Sequence, residues 1–167
     1  NKPIQPSKDF SGNWAYERSL LSVLVSGSPD YSRYALSTQG KEMLEQFDPS
    51  VDPDLQCRSR GLPTLALYVY GYRWKRFADR IEIEKEQAII DEEHRTIYLN
   101  ADQVPDQKPS ILGLSVGHFE EAGQVLVVDT THFLATTWGI AEGIDSSDKK
   151  RVLERYRLTN GGLRMQV

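Results

Sequence analysis

Apolar and polar residues alternate with a period of two through much of this chain. The clearest case is a pair of β-rich segments, residues 112–120 and 124–131, joined by Glu121-Ala122-Gly123. Alternation of this kind is typical of strands, and a short connection that contains glycine predicts a β-hairpin. A second hairpin is predicted near the C-terminus, where Asn160-Gly161 supplies the positive backbone angles of a tight turn.

Further strands are predicted on the same basis along the rest of the chain. They cover residues 12–16, 64–72, 80–85, 87–92, 95–99, 151–158 and 163–167. Three of them follow one another closely between residues 80 and 99, which favours a meander. Residues 20–25 form an apolar run that suits a strand or a short helix equally, because periodicity does not separate the two.

One segment has helical spacing instead. Met43, Leu44 and Phe47 recur on one face, a serine and a threonine stand at the start, and Asp48-Pro49 follows as a stop signal. The pattern predicts a helix over residues 37–47. It also predicts a long surface loop or lid over residues 48–63, and a connection over residues 133–149 with at most one helical turn.

Together these elements predict a mainly β protein, an antiparallel meander β-barrel with one short helix. The length of 167 residues is typical of one domain. We expect residues 1–8 to be an irregular leader and residues 9–167 to form a single barrel domain. The chain starts without Met, which fits a mature or trimmed protein, and the sequence leaves open whether a signal peptide was removed.

Composition excludes several classes of function. The 20 Lys and Arg residues are interspersed among 24 Asp and Glu residues, with a formal net charge of −4, so no nucleic-acid partner is expected. No apolar run approaches the ~20 residues of a membrane-spanning helix. The sequence has no Gly-rich phosphate loop, His-Glu-x-x-His, Gly-x-Ser-x-Gly or calcium loop, and no cofactor is expected.

His118 and Glu120 are candidates for proton transfer. His118 shares the parity of Leu114 and Val116, and Glu120 follows on the same predicted face. Inside a barrel, burial and the carboxylate would change the pKa of the imidazole in opposite directions, which makes a tunable general acid or base. The alternative is a histidine at a strand end. A zinc site of His118, Glu120 and His132 is also considered, but no metal is expected.

Glu154 is a third candidate, because it shares a face with Val152, Tyr156 and Leu158. A buried carboxylate needs a partner, and Arg58, Arg60 or a histidine would serve. Glu154 is then a ligand anchor or a catalytic carboxylate, or else a strand-end residue that reaches solvent. Cys57, the only cysteine, stands beside Arg58 as a candidate for a thiol of lowered pKa, and it excludes an internal disulfide.

Aromatic residues mark a candidate ligand pocket. Residues 68–72 present a face of tyrosines, which would line a pocket for a flat apolar molecule or serve as core or as a partner interface. The predicted ligand-binding residues are Trp14, Tyr16, Tyr68, Tyr70, Tyr72 and Trp138.

The opening Asp9-Phe10-Ser11-Gly12-Asn13-Trp14 resembles the Gly-x-Trp start of lipocalins, and Asp129-Thr130-Thr131 loosely resembles their second motif. The closing arginine of that family would be Arg151, Arg155 or Arg157. Lipocalins are eight-stranded barrels that hold a small hydrophobic molecule. The resemblance therefore implies a lipocalin-like barrel with a ligand of that kind.

A broader resemblance is to a group of mostly secreted bacterial proteins with no established activity. The shared segments are Ser-Gly-x-Trp at 11–14, Cys-x-x-x-Gly-x-Pro at 57–63, Arg-x-Ile-Tyr-Leu at 95–99, Ser-Val-Gly at 115–117, Val-Val-Asp-Thr at 127–130, Thr-Trp at 137–138 and Glu-Arg-Tyr-Arg at 154–157. The chain departs from that group at Glu92 and Asn100, where the group has histidine and aspartate. The resemblance implies a secreted, β-barrel-like protein.

Three functions remain open at this point. The first is binding of a small hydrophobic or aromatic molecule in a barrel pocket, by a secreted or periplasmic protein. The second is a cofactor-independent acid–base enzyme, an isomerase, lyase or cyclase, that acts on such a molecule in the same pocket through His118 with Glu120 or Glu154. The third is a protein-interaction module. A homodimer is left open as well.

Overall fold

The computed structural model describes residues 8–15, 34–67, 71–85 and 94–167. Within these ranges the chain forms one α-helix, α1 (Thr38–Glu45), and ten strands. The strands are β1 (Gly12–Trp14), β2 (Tyr72–Arg76), β3 (Arg80–Lys85), β4 (Arg95–Tyr98), β5 (Leu114–Glu120), β6 (Val125–Thr131), β7 (Thr136–Ala141), β8 (Ile144–Ser146), β9 (Val152–Thr159) and β10 (Arg164–Gln166).

Eight of these strands form one sheet in the order β1-β2-β3-β4-β5-β6-β9-β10, and the sheet curls into a nearly closed barrel. The predicted mainly β barrel with one short helix is confirmed. One pair departs from the expected antiparallel pattern, because β4 and β5 are parallel, with Ile97 opposite Ser115 and Tyr98 opposite Val116. A parallel pair needs a long crossover connection. Residues 99–113 provide it, and we call them the crossover.

The predicted helix and both predicted hairpins are present. Ser37 caps α1, since its Oγ accepts a hydrogen bond from the Gly40 N–H at 3.2 Å. Strands β5 and β6 pair in antiparallel register from Leu114 opposite Thr131 to Glu120 opposite Val125. Strands β9 and β10 pair around a turn in which Gly161 has φ 64°.

Two predicted elements are wrong. Residues 133–149 are not a plain connection but contain β7 and β8, which form a separate two-stranded sheet. Residues 64–67 are a single-turn 3-10 helix rather than the start of a strand, and β2 begins only at Tyr72. The Leu65 N–H donates a hydrogen bond to the carbonyl of Gly61 at 2.8 Å. Such local hydrogen bonds replace the cross-strand hydrogen bonds that a strand would need.

The predicted loop over residues 48–63 is partly packed rather than a free lid. It contains the 3-10 helices Pro49–Val51 and Pro53–Gln56, and Leu62 is buried. The segments predicted over residues 20–25 and 87–92 lie outside the described residues, as do residues 1–7 of the predicted leader.

The main core fills the inside of the barrel. Its buried members are Phe10, Trp74, Ile81, Ile83, Ile97, Leu126, Val128 and Tyr156. A smaller core of Leu62, Leu65, Leu112 and Phe133 lies between the crossover and the loop that precedes β2. Within the ranges given above, no helix has the length and apolar character that crossing a membrane requires.

Candidate functional site

A buried polar network lies inside the barrel and centres on Arg95. Its guanidinium donates from Nη1 to Glu154 Oε1 at 3.0 Å and from Nη2 to Glu154 Oε2. Its Nε–H donates to Ser115 Oγ at 3.1 Å, and Nη2 also donates to Thr130 Oγ1 at 3.0 Å. The Tyr156 hydroxyl donates to Glu154 Oε1 at 2.5 Å. All five side chains are buried, and each has a partner, which is how a folded protein tolerates buried polar groups.

The network keeps Arg95 charged despite its burial. Burial by itself lowers the pKa of a guanidinium, but the facing carboxylate of Glu154 more than offsets this and raises the pKa of Arg95 above its usual value. Burial and the same carboxylate both raise the pKa of the Tyr156 hydroxyl well above 10.0. Arg95 is therefore a fixed cation and Tyr156 a fixed neutral donor.

Four sequence segments supply this network, one from each of four strands. Arg95 opens Arg-x-Ile-Tyr-Leu on β4, Ser115 opens Ser-Val-Gly on β5, Thr130 ends Val-Val-Asp-Thr on β6, and Glu154 opens Glu-Arg-Tyr-Arg on β9. These are segments of the broader resemblance described above. The structure thus gives the four separate motifs one shared physical role, the satisfaction of a buried charge pair.

A cleft of about 400 Å³ opens where β4 meets β5. Pairing of the two strands begins at Ile97 and Ser115, so the residues before these positions are separated and line the opening. We call it the seam cleft. Its lining residues are Arg58, His94, Arg95, Thr96, Tyr98, Gln107, Pro109, Ser110, Ile111, Leu112, Gly113 and Leu134. Arg95 therefore belongs both to the buried network and to the cleft lining.

The segment of residues 57–63, which we call the strap, holds Arg58 beside the cleft. Gly61 has φ +72°, and a Cβ there would lie 2.5 Å from the carbonyl oxygen of Ile111. Only glycine permits this approach of the strap to the crossover. Ser59 is buried and accepts a hydrogen bond from the Gly61 N–H at 3.1 Å. Lys150 Nζ donates to the carbonyl of Leu62 at 2.5 Å, which fixes the other end of the strap.

His118 and Glu120 do not lie on the inner face of β5, where the acid–base hypothesis needs them. The His118 side chain is 65% exposed, and the buried residues of β5 are Ser115 and Gly117. His118 lies on the outer wall, 3.3 Å from Glu120, whose other oxygen accepts from Arg155 at 2.7 Å. On the inner face of β5, Ser115 bonds to Arg95, and Gly117 leaves room for Ile97.

Glu154 does face the interior, as predicted, but its partner is Arg95. The predicted partners occupy other positions: Arg58 lines the seam cleft, and Arg60 pairs with Asp52 at 2.5 Å. The sequence contains a signal that Arg95 points inward, because Arg95 shares the parity of the buried Ile97 on a short strand. That signal was missed because an arginine at a strand end usually reaches solvent.

Two of the predicted ligand-binding residues meet in a second cleft. Trp14 and Tyr72 line an opening of about 450 Å³ at the ends of β1, β2 and β3, which we call the edge cleft. Trp138 is buried elsewhere, stacked on Phe47 with ring centroids 5.3 Å apart and with Arg60 over its ring. The predicted positions Tyr16, Tyr68 and Tyr70 lie outside the described residues.

The remaining candidates do not come together. In the part of the chain that the structure describes, no group of three or more His, Cys, Asp and Glu side chains has the arrangement of a metal site. His132 lies beyond the end of β6, where its Nδ1 is 2.9 Å from the Thr131 hydroxyl. His118 is opposite Val127, several residues further along the same hairpin. Cys57 is exposed at the start of the strap.

Comparison with protein-family models, with curated proteins and with solved structures found no match for this chain.

Proposed function

We propose that this protein binds a small molecule in the seam cleft. The observation that carries the proposal is the mixed lining of an opening of about 400 Å³, a size typical of small-molecule sites. Ile111, Leu112 and Leu134 offer apolar surface, and Arg58 and Tyr98 offer hydrogen-bond donors. The expected ligand has an apolar body and at least one polar group.

Rigid surroundings support this assignment. The hydrogen bonds of the Arg95 side chain hold the β4 side of the cleft in place. Backbone hydrogen bonds of Ser110 hold the crossover. The Ser110 N–H donates to the backbone carbonyl of His132 at 3.2 Å, and the Leu134 N–H donates to the backbone carbonyl of Ser110 at 2.9 Å. A site whose walls are already ordered loses less entropy when a ligand binds.

The ligand is thus expected in the wall of the barrel, not in the central pocket that the sequence predicts. The main core and the Arg95 network lie inside the barrel, and the seam cleft lies between β4 and the crossover. The enzyme alternative and the interaction-module alternative stay predictions. So do secretion or a periplasmic location, and the homodimer.

The first experiment is native mass spectrometry of protein purified from its own host, before and after denaturation. We expect a bound small molecule that is released on unfolding. Amide resonances then locate it in an NMR titration of the emptied protein with the released compound. Shifts at Gly113 and Leu134 place the compound in the seam cleft, whereas shifts at Asn13 and Gly71 place it in the edge cleft.

A pair of matched variants tests the site itself. Leu134 is 47% exposed and lines the cleft, and Leu153 is 65% exposed on β9, away from it. We expect Leu134→Asp to weaken binding of the released compound at least tenfold, because a carboxylate replaces apolar surface, and Leu153→Asp to leave it unchanged. Equal effects of the two substitutions would remove the seam cleft from consideration.

A further inference from the structure

The strap places Arg58 in the lining of the seam cleft, where no described carboxylate pairs with it. Arg58 is exposed and makes no ion pair with any residue that the structure describes. Its neighbours differ in this respect. Arg60 is held by Asp52 at 2.5 Å and by Asp54 at 3.4 Å, and Arg95 is held by Glu154. Among the described arginines of the cleft lining, the open positive charge therefore belongs to Arg58.

None of the described residues that line the cleft carries a carboxylate. The chain as a whole has more acidic than basic residues, with a net charge of −4, so a lining with two arginines and no acid differs from the average surface. Because the charge of Arg95 is matched by Glu154, an anion in the cleft would find Arg58 as its counter-ion. Thr96, Tyr98 and Ser110 add hydroxyl-bearing side chains to the same lining.

The position of Arg58 is fixed by its backbone. The Arg58 N–H donates to the carbonyl of Pro53 at 3.0 Å, and the next residue, Ser59, is buried. The close approach of Gly61 to Ile111 then sets the distance between the strap and the crossover, whose residue Ile111 lines the cleft. A guanidinium on an ordered segment beside apolar surface is suited to a planar carboxylate, because it can donate two parallel hydrogen bonds to it.

We infer that the ligand of the seam cleft is an amphipathic organic anion, a carboxylate with an apolar body, and that Arg58 binds its charged group. The inference rests on the proposed function and adds the chemical class of the ligand. The carboxylate lies toward the strap, and the apolar body lies against Leu112 and Leu134. A single open arginine fits one carboxylate better than the higher charge of a phosphate ester.

The test compares two probes that differ only in charge, 2-naphthoate and 2-naphthamide, by NMR titration of the wild-type protein. We expect the acid to bind at least tenfold more tightly than the amide and to shift the Gly113 and Leu134 resonances. In Arg58→Gln the acid should lose this advantage while the amide binds as before. Arg151→Gln, an exposed arginine on the outer wall that pairs with Asp129, is the matched control and should behave as the wild type.

The outcomes separate the two proposals. Equal binding of acid and amide overturns the anion class, and an advantage of the acid that survives Arg58→Gln overturns the role of Arg58. Either result leaves small-molecule binding standing. If neither probe binds and native mass spectrometry finds no bound compound, the proposed function fails as well. Arg58 is exposed, so its substitution should leave the fold intact, and circular dichroism checks this.

Discussion

Arg95 and Glu154 form a bidentate ion pair inside the barrel, although they are 59 residues apart in the sequence. The side chains are only 6% and 8% exposed, and the remaining polar atoms are satisfied by Ser115, Thr130 and Tyr156. Such a pair adds little net stability over an apolar core of the same shape, but loss of one partner leaves a bare buried charge.

We therefore expect Glu154→Gln to lower the free energy of unfolding by about 3–5 kcal/mol, the range for a broken buried pair. Urea denaturation at neutral pH measures it. Asp129→Asn removes the partner of Arg151 on the outer wall, where both side chains are exposed, and serves as the control. The control should have a much smaller effect. A loss for Glu154→Gln no larger than that of the control would mean that the buried pair is not formed.

Stability should also depend on pH through Lys150. This side chain is buried, its Nζ donates to the carbonyls of Leu62 and Gly139, and burial lowers its pKa from 10.5 to about 8. Between these two values the unfolded state binds more protons than the folded state. The free energy of unfolding should therefore rise with pH in this window, by on the order of 3 kcal/mol over the full range.

The measurement compares the wild type with Lys150→Met, which cannot titrate, in urea at pH 7 and at pH 9.5. Other groups also titrate near pH 10, so the informative quantity is the difference between the two proteins. The wild type should gain stability relative to the variant as the pH rises. Parallel changes in the two proteins would show that Lys150 keeps an ordinary pKa in the folded state.

Gly61 and Gly161 allow a test of the contact between strap and crossover. Both have positive φ, +72° and +64°, so alanine costs about 1 kcal/mol at either position from backbone strain. At Gly61 the added Cβ also meets the Ile111 carbonyl oxygen at 2.5 Å, whereas at Gly161 nothing lies within 4 Å. We expect Gly61→Ala to lose about 1–3 kcal/mol more than Gly161→Ala, because the strap must move.

Chemical denaturation of the two alanine variants gives this difference, and a ligand titration adds a second readout. Because the strap carries Arg58, Gly61→Ala should also weaken binding of 2-naphthoate, while Gly161→Ala should not. Identical behaviour of the two variants would argue against a close contact between the strap and the crossover.

His118→Gln tests the acid–base alternative on the outer wall. His118 is 65% exposed and contacts Glu120, which keeps Arg155 as a partner. We expect the variant to unfold at the same urea concentration as the wild type and to bind the released compound equally well. A loss of binding or of turnover in this variant would return His118 to the functional site and contradict the position of the seam cleft.

Local signals in the sequence were sufficient for most of the elements. The Ser37 cap with Asp48-Pro49 defined α1, and the Gly-containing turns defined the β5–β6 and β9–β10 hairpins. These features depend on neighbouring residues, so a linear pattern contains them. The inward direction of Glu154 was also readable, because Tyr156 on the same strand shares its parity and is buried with it.

The faces of β5 and the partner of Glu154 depend on the tertiary structure. Side chains on a strand alternate, so a shift of one residue exchanges the two faces, and the apolar Leu114 and Val116 suggested the opposite choice to the one that the barrel makes. Ser115 and Gly117 face inward because Arg95 needs a hydroxyl acceptor and Ile97 needs room. Both requirements come from residues of β4. A long crossover connects β4 to β5, and the two strands pair in parallel.

The sequence by itself thus determined the kind of fold, its helix, its hairpins and one inward carboxylate. Only the tertiary structure decided that Arg95 is the partner of that carboxylate, that the barrel wall opens where β4 meets β5, and that the strap places Arg58 at the opening. The physical reason is that turns and caps are made by residues close in sequence. Ion pairs between strands and the spacing between strap and crossover are made by residues that only the complete fold brings together.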